Sequence, residues 1–319
     1  MIRKVIPAVS FISVLMLSPF LQAADSADQW LQRFTDAMHS YEYSGVLVYS
    51  REGQLDSVEL SHNVNEEGEQ ARLSYLDGLP REFVQDGGQI TQKISGEIVA
   101  NDRIQGRNPS GRFSGGLEQI KRYYQLQLKG QGRVVNRPAI IVEIIPRDNQ
   151  RLGYRLWLDK ESALLLKSVT LDPLARELET FQFTSFSFKA KKESNANINP
   201  EARARQNTNV SSNSLTNIIS SSAANILPWL PEGFELFMEK QSVEVSDNHL
   251  ANMHSWSDGV STFSVFVEPL RADSLKEGQH QYGATVVVVR SISEKNQGRV
   301  ITVVGEIPLH TAQKIAAAF

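Results

Sequence analysis

The chain has 319 residues, 41% of them apolar and 22% charged, with a formal net charge of -3, the composition of an ordinary globular protein of about two domains. Without a basic face dense enough to displace counterions, nucleic acid is excluded as a main partner. The absence of cysteine excludes disulfides, a thiol nucleophile and an acylated lipoprotein N-terminus.

Arg3 and Lys4 precede an uncharged run from Val5 to Leu21, and small residues follow at Ala23 and Ala24. This predicts a secretory signal peptide over 1–24 and a soluble mature protein in the periplasm. An uncleaved membrane anchor is the alternative, disfavoured by Pro7 and Pro19 inside the run.

Asp25, Ser26 and Asp28 supply cap candidates and negative charge before Trp30, Leu31, Phe34, Met38 and Tyr41, whose spacing of three and four predicts one amphipathic helix ending near Ser40. From Tyr43 to Lys189 about ten short segments, β-branched and aromatic and punctuated by Gly, Pro, Asn or Asp, predict one large antiparallel sheet. Its strands are expected at Tyr43–Ser50, Asp56–Val64, Gln70–Leu76, Arg81–Gln85, Gln89–Ile94, Tyr123–Leu128, Ala139–Pro146, Gly153–Asp159, Leu164–Leu171 and Arg176–Lys189. A sheet this long curls, and the helix stripe suits its concave face, giving an apolar cup. In the last strand Phe181 and Phe183 share one parity and Phe186 and Phe188 the other. The strand therefore carries a bulge at Thr184-Ser185 or is buried on both faces.

The segment Asn101–Gly116 interrupts the sheet with four glycines and with Arg103, Arg107 and Arg112 against the single acid Asp102. Clustered guanidinium groups suit an anionic group, and an ordinary solvated loop is the competing reading. Pro80-Arg81-Glu82 is placed to fix a charge pair at the mouth of the cup. From 190 to 225 the composition turns to Asn, Ser, Ala and Lys, which predicts a flexible linker, either a hinge between domains or a passive tether. A smaller α+β domain is expected over 226–319, with strands near Glu235–Val243, Leu250–Ser257, Thr262–Leu270, Thr285–Ser291 and Arg299–Glu306 and a closing helix after Pro308.

Catalytic constellations are missing from the sequence: no nucleophile elbow, no P-loop and no dinucleotide-binding glycine motif. Of the six histidines, only His249 and His254 are close, and five residues apart on a strand they face opposite ways, the wrong geometry for two metal ligands. Glu66-Glu67 and the pair Glu177 and Glu179 fit solvated turns or strand faces better than acid–base work. No enzyme, metal or cofactor is expected. The aromatic residues Trp30, Phe34, Trp229 and Phe234 fit core packing as readily as ligand contact.

Leu76-Asp77-Gly78-Leu79-Pro80-Arg81-Glu82, Ile145-Pro146-Arg147-Asp148 running into Tyr154-Arg155-Leu156-Trp157-Leu158-Asp159, and Trp229-Leu230-Pro231-Glu232-Gly233-Phe234 resemble the RseB/MucB family of sigma-E regulatory proteins. So do Asp258-Gly259 leading into Phe263-Ser264-Val265-Phe266-Val267-Glu268, and Val303-Val304-Gly305-Glu306-Ile307-Pro308-Leu309. The resemblance covers the mature chain in order. It implies an α+β, β-rich fold: an N-terminal LolA/LolB-like unclosed antiparallel β-barrel covered by helices over 25–189, and a smaller sheet-and-helix domain. It further implies a periplasmic negative regulator without catalytic activity. Such a protein binds the periplasmic domain of an anti-sigma factor of the RseA or MucA type and shields it from DegS-type proteolysis. Lipopolysaccharide or mislocalised lipid releases it.

On that reading, acyl chains enter between sheet and helix, against Val46, Val48, Leu73, Tyr75, Tyr154, Leu156, Phe181 and Phe183, with Trp30, Phe34 and Met38 above. The opposite strand faces are live alternatives, because strand parity is not fixed by these residues alone. Trp229, Phe234, Phe263 and Phe266 are the candidate partner surface, and a homo-oligomer is compatible. A periplasmic lipid or lipoprotein carrier of the LolA type is the competing function. A shuttle needs only the cup, whereas a regulator needs a further protein-binding surface.

Overall fold

The computed structural model describes residues 25–64, 68–86, 89–102, 116–190, 229–246, 249–294 and 297–319. The expected signal peptide, the arginines Arg103, Arg107 and Arg112, and the linker beyond residue 190 lie outside these residues.

Helix α1, Ala27–Ser40, begins at a capping box in which the Ser26 hydroxyl accepts from the Gln29 N–H and the Gln29 side chain accepts from the Ser26 N–H. Two otherwise orphaned donors are satisfied there. Its stripe Trp30, Leu31, Phe34, Ala37 and Met38 is buried, as the spacing requires.

Eleven strands follow in one antiparallel sheet: β1 (Tyr41–Arg51), β2 (Gln54–Val64), β3 (Glu69–Tyr75), β4 (Arg81–Asp86), β5 (Gln89–Ile94), β6 (Glu97–Asp102), β7 (Tyr124–Val134), β8 (Arg137–Pro146), β9 (Gly153–Asp159), β10 (Leu165–Leu171) and β11 (Glu177–Ala190). The order is β6-β5-β4-β3-β2-β1-β11-β10-β9-β8-β7, so the sheet consists of two meanders joined by the β1–β11 pair. Its outer strands β6 and β7 do not pair with each other, and the barrel is unclosed. Helix α1 and the short α2 (Leu117–Tyr123) lie over the β7–β8 end of the concave face.

The β1–β11 pair carries the expected bulge. Val46 lies opposite Ser185 and Leu47 opposite Phe183, which leaves Thr184 as the extra residue. The Thr184 hydroxyl donates to the Val46 carbonyl, and the Ser185 hydroxyl accepts from the Val46 N–H. The inserted residue reverses the parity, so Phe181, Phe183, Phe186 and Phe188 fall on one face with consecutive ring separations of 5.3, 4.9 and 6.0 Å. Opposite the bulge, a Cβ on Gly45 would stand 2.0 Å from the Ser185 carbonyl oxygen, so only glycine fits.

A second, six-stranded sheet contains β12 (Glu235–Ser246), β13 (His249–Ser257), β14 (Thr262–Pro269), β15 (Gly278–Tyr282), β16 (Thr285–Glu294) and β17 (Gln297–Gly305), ordered β12-β13-β14-β17-β16-β15. The closing helix α3, Leu309–Ala317, buries Ala312, Ile315 and Ala316 against a core containing Trp256, Phe263, Val265, Ile301 and Val303.

Three elements were not expected from the sequence. Helix α2 has 7 residues, too few for a 3.6-residue period to declare itself. Strand β6 follows the tight turn at Ser95-Gly96, both with positive φ, and merges into the glycine-rich segment. Strand β15 reads Gly-Gln-His-Gln-Tyr and is exposed throughout, so no apolar alternation marks it.

Candidate functional site

The concave face of the large sheet holds a cavity of about 310 Å³. Its apolar wall consists of Leu47 and Tyr49 from β1, Val58 and Leu60 from β2, Leu73 and Tyr75 from β3, Tyr154 and Leu156 from β9, Leu165 from β10, and Phe181 from β11. Its polar wall is formed by Arg51, Ser168, Thr170 and Glu179, with Glu306 contributed by the second domain. An apolar chamber with one polar side fits an amphiphile, a molecule with a hydrocarbon part and a polar end.

Of the candidate lipid-contact residues, Leu73, Tyr75, Tyr154, Leu156 and Phe181 stand in the cavity wall. Val46 and Val48 do not; the lining residues of β1 are Leu47 and Tyr49, on the opposite parity. The reason is cross-strand register: Leu47 faces Phe183 on one side and Val58 on the other, and Val58 in turn faces Tyr75. Residues opposite one another share a face, so a wall that includes Tyr75 and Phe181 requires Leu47 and Tyr49. The run Val46-Leu47-Val48-Tyr49 is apolar on both parities, and alternation alone could not decide it. Phe183, Trp30, Phe34 and Met38 are not in the cavity wall and pack in the core of the first domain.

The polar wall is wired to the second domain. The Tyr49 hydroxyl donates to Glu179 Oε2 at 2.5 Å, the Thr170 hydroxyl donates to Glu179 Oε1 at 3.3 Å, and the Ala284 N–H donates to Glu179 Oε2 at 3.2 Å. Burial, reinforced by the Glu179 charge, pushes the Tyr49 hydroxyl's pKa up, so Tyr49 stays a donor. Across the same junction Glu52 accepts from the Gly283 N–H and the Tyr282 hydroxyl donates to Gln54. In Pro80-Arg81-Glu82, Arg81 lies 4.1 Å over the ring of Tyr75, a wall residue, and 3.8 Å from Asp56. Glu82 pairs instead with Arg72 and Lys93.

A second junction is ionic. Arg151 Nη1 donates to Asp258 Oδ2 at 2.6 Å, the Tyr124 hydroxyl donates to the same oxygen at 2.8 Å, and Arg151 Nη2 donates to the Glu232 carbonyl. Tyr123 and Phe234 rings flank the guanidinium at 4.4 and 5.0 Å. Burial opposes the Arg151 charge, but the hydrogen bond to Asp258 and the charges of Asp258, Tyr124 and Asp148 together outweigh it and raise the pKa.

The expected partner surface does not form as one patch. Phe234 and Phe263 are 4% and 1% exposed and pack together at 5.3 Å, with Trp256 stacked on Phe263 at 5.2 Å. They are the core of the second domain, because alternate residues of β14 face α3. Phe266, on the other parity, is half-buried away from them, and Trp229 lies under the Lys314 ammonium at 3.8 Å. His249 engages Glu268 and Asp273, while His254 stands near Glu239. Among the described residues no cluster of three or more His, Asp or Glu is arranged to hold a metal ion.

Comparison with known proteins matches residues 26–207 to the MucB/RseB N-terminal domain and residues 220–319 to the MucB/RseB C-terminal domain. The sigma factor AlgU regulatory protein MucB of Pseudomonas aeruginosa is 34% identical over 307 residues, 95% of this chain and 93% of that protein. The sigma-E factor regulatory protein RseB of Escherichia coli K12 is 26% identical over 311 residues, 95% of this chain and 93% of that protein. Among solved structures, the Pseudomonas aeruginosa MucA/MucB complex superimposes with a TM-score of 0.69 at 30% identity, covering 91% of this chain and 96% of that one. A crystal structure of MucB gives 0.60 at 27% identity, covering 92% of this chain and 96% of that one. With both domain profiles matched in order and the likeness running the length of the chain, this protein is a member of the MucB/RseB family.

Proposed function

We propose that this protein is a periplasmic negative regulator of the sigma-E envelope stress response. It binds the periplasmic domain of a membrane-spanning anti-sigma factor of the MucA or RseA type, shields it from DegS-type proteolysis, and lets go when lipopolysaccharide or mislocalised lipid occupies its cavity. The observation that carries this reading is the full-length likeness to MucB, a protein solved in complex with MucA. The amphiphile-shaped cavity with a wall completed by the second domain supports the release step. The leader expected from the sequence over 1–24 supports the compartment.

The mechanism is linkage. A lipid that prefers the partner-free form lowers apparent partner affinity by its differential affinity for the two forms and by no more. A coupling of about 1–3 kcal/mol, or roughly 5–150-fold, is the usual range. The glutamate and tyrosine contacts between cavity wall and second domain give occupancy a route to domain position.

The test is binding of the purified mature protein to the periplasmic domain of the anti-sigma factor from its own genome, with and without lipopolysaccharide. Tight binding weakened by lipopolysaccharide is expected. Retention of an acyl ligand with no partner binding would instead favour the carrier function.

A further inference from the structure

Arg51 stands where the cavity meets the second domain. Its side chain lines the cavity, and its guanidinium lies 5.2 Å from the Tyr49 ring and 4.0 Å from the Tyr282 ring of the second domain. Its Nε is buried and has no hydrogen-bond partner, a costly state for a charged donor. The carboxylate paired with it, Asp56, stands 3.6 Å from Nη2 and is shared with Arg81 at 3.8 Å. Both separations are longer than a hydrogen bond. Glu179, on the same wall, is already engaged by Tyr49, Thr170 and the Ala284 N–H. A guanidinium with donors to spare therefore sits at the rim of an apolar chamber.

We propose that Arg51 is the headgroup anchor of this cavity, taking the phosphate or carboxylate of an amphiphile, one alkyl chain of which lies against Leu47, Leu60, Leu73 and Leu156. The proposal rests on the reading that the cavity takes lipid, and specifies which lipid. A planar guanidinium matches both anions through two parallel N–H donors. The cavity volume of about 310 Å³ lies at the low end of small-molecule sites, roughly 300–1,000 Å³, and admits one chain rather than several. Since the same guanidinium stacks on Tyr282, capture of a headgroup competes with a contact that holds the second domain over the mouth.

The experiment titrates the mature protein, without partner, with dodecyl phosphate, dodecanoate and neutral dodecyl maltoside below their micelle concentrations, using calorimetry. Wild type, R51K and R51Q are compared. R51Q is expected to weaken the anionic probes by about tenfold or more, the worth of a charge-assisted hydrogen bond, while dodecyl maltoside changes by less than about twofold. R51K should fall between, since it keeps the charge and loses the fork. A loss confined to one anionic probe identifies the headgroup. Unchanged anionic binding in R51Q, equal weakening of all three probes, displacement of dodecyl phosphate by inorganic phosphate alone, or no binding to wild type would each overturn the proposal. Partner binding takes no part in this titration, so the anti-sigma reading stands or falls separately.

Discussion

Arg151 and Asp258 meet at 2.6 Å across the two domains with neither side chain exposed. The pair is built in from both sides: Asp148 receives the Arg151 Nε, and the Val260 and Ser261 N–H groups donate to the other Asp258 oxygen. A buried charge is tolerated only when so fully answered.

Breaking the pair from one side strands the other charge. Arg151→Ala is expected to lower stability by about 3–5 kcal/mol, the usual consequence of leaving one buried ion unpaired. The double variant with Asp258→Asn should lose less than the sum of the single losses. Urea unfolding of the four proteins closes the cycle. Additive losses would mean that the two residues act independently and do not clamp the domains.

The bulge makes a separate claim. Gly45→Ala places a methyl group 2.0 Å from the Ser185 carbonyl oxygen and 2.9 Å from the Phe183 ring, and backbone cannot yield as a flexible side chain does. The cost expected is about 1–3 kcal/mol, the range for overpacking, seen as a lower thermal midpoint. An unchanged midpoint would show that β1 and β11 separate here without strain.

Much of the architecture was written in local pattern. Asp25, Ser26 and Asp28 announce the first helix, and Phe181, Phe183, Phe186 and Phe188 announce the bulge, because a parity change within one strand has few physical solutions. The cavity wall was half legible. Leu73, Tyr75, Tyr154, Leu156 and Phe181 lie there, yet the choice of Leu47 and Tyr49 over Val46 and Val48 depends on register with Val58 and Phe183, a non-local relation. Arg51 gave no signal, since it ends an ordinary strand and acquires its role only when Tyr282, more than two hundred residues on, arrives beside it. Phe234 and Phe263 misled in the opposite direction. Aromatic residues mark interfaces and cores alike, and only burial separates the two.

Acid stability should report on Arg137. Burial pushes the Asp159 carboxyl's pKa up, but two hydrogen bonds from Arg137 and donors from Ser162 outweigh it and hold the group below the usual carboxylate range. The folded chain therefore keeps this proton off more readily than the unfolded chain. The stabilisation is complete above the ordinary value near ~3.9 and fades as pH falls through the lower folded value. Arg137→Gln removes the guanidinium and leaves burial in place, so protonation should set in at higher pH. The acid-unfolding midpoint, followed by tryptophan fluorescence, is expected to rise; a midpoint that stays or falls would remove Asp159 from the acid response.

Filling the cavity should uncouple sensing from binding. Leu73 lines it, is only half-buried, and pairs across the sheet with Leu60 and Phe83, so Leu73→Trp can direct its larger ring into open space without displacing core. Under the linkage scheme, an acyl ligand that no longer fits has no differential affinity to exert. The variant is expected to hold the anti-sigma domain within about twofold of wild type, the tolerance for sites that do not interact, and to resist release by lipopolysaccharide. Competition binding with a fluorescent anti-sigma segment measures both. If Leu73→Trp is released as readily as wild type, the cavity is not where the signal enters; if it fails to bind the partner while remaining folded, this wall itself belongs to the partner surface.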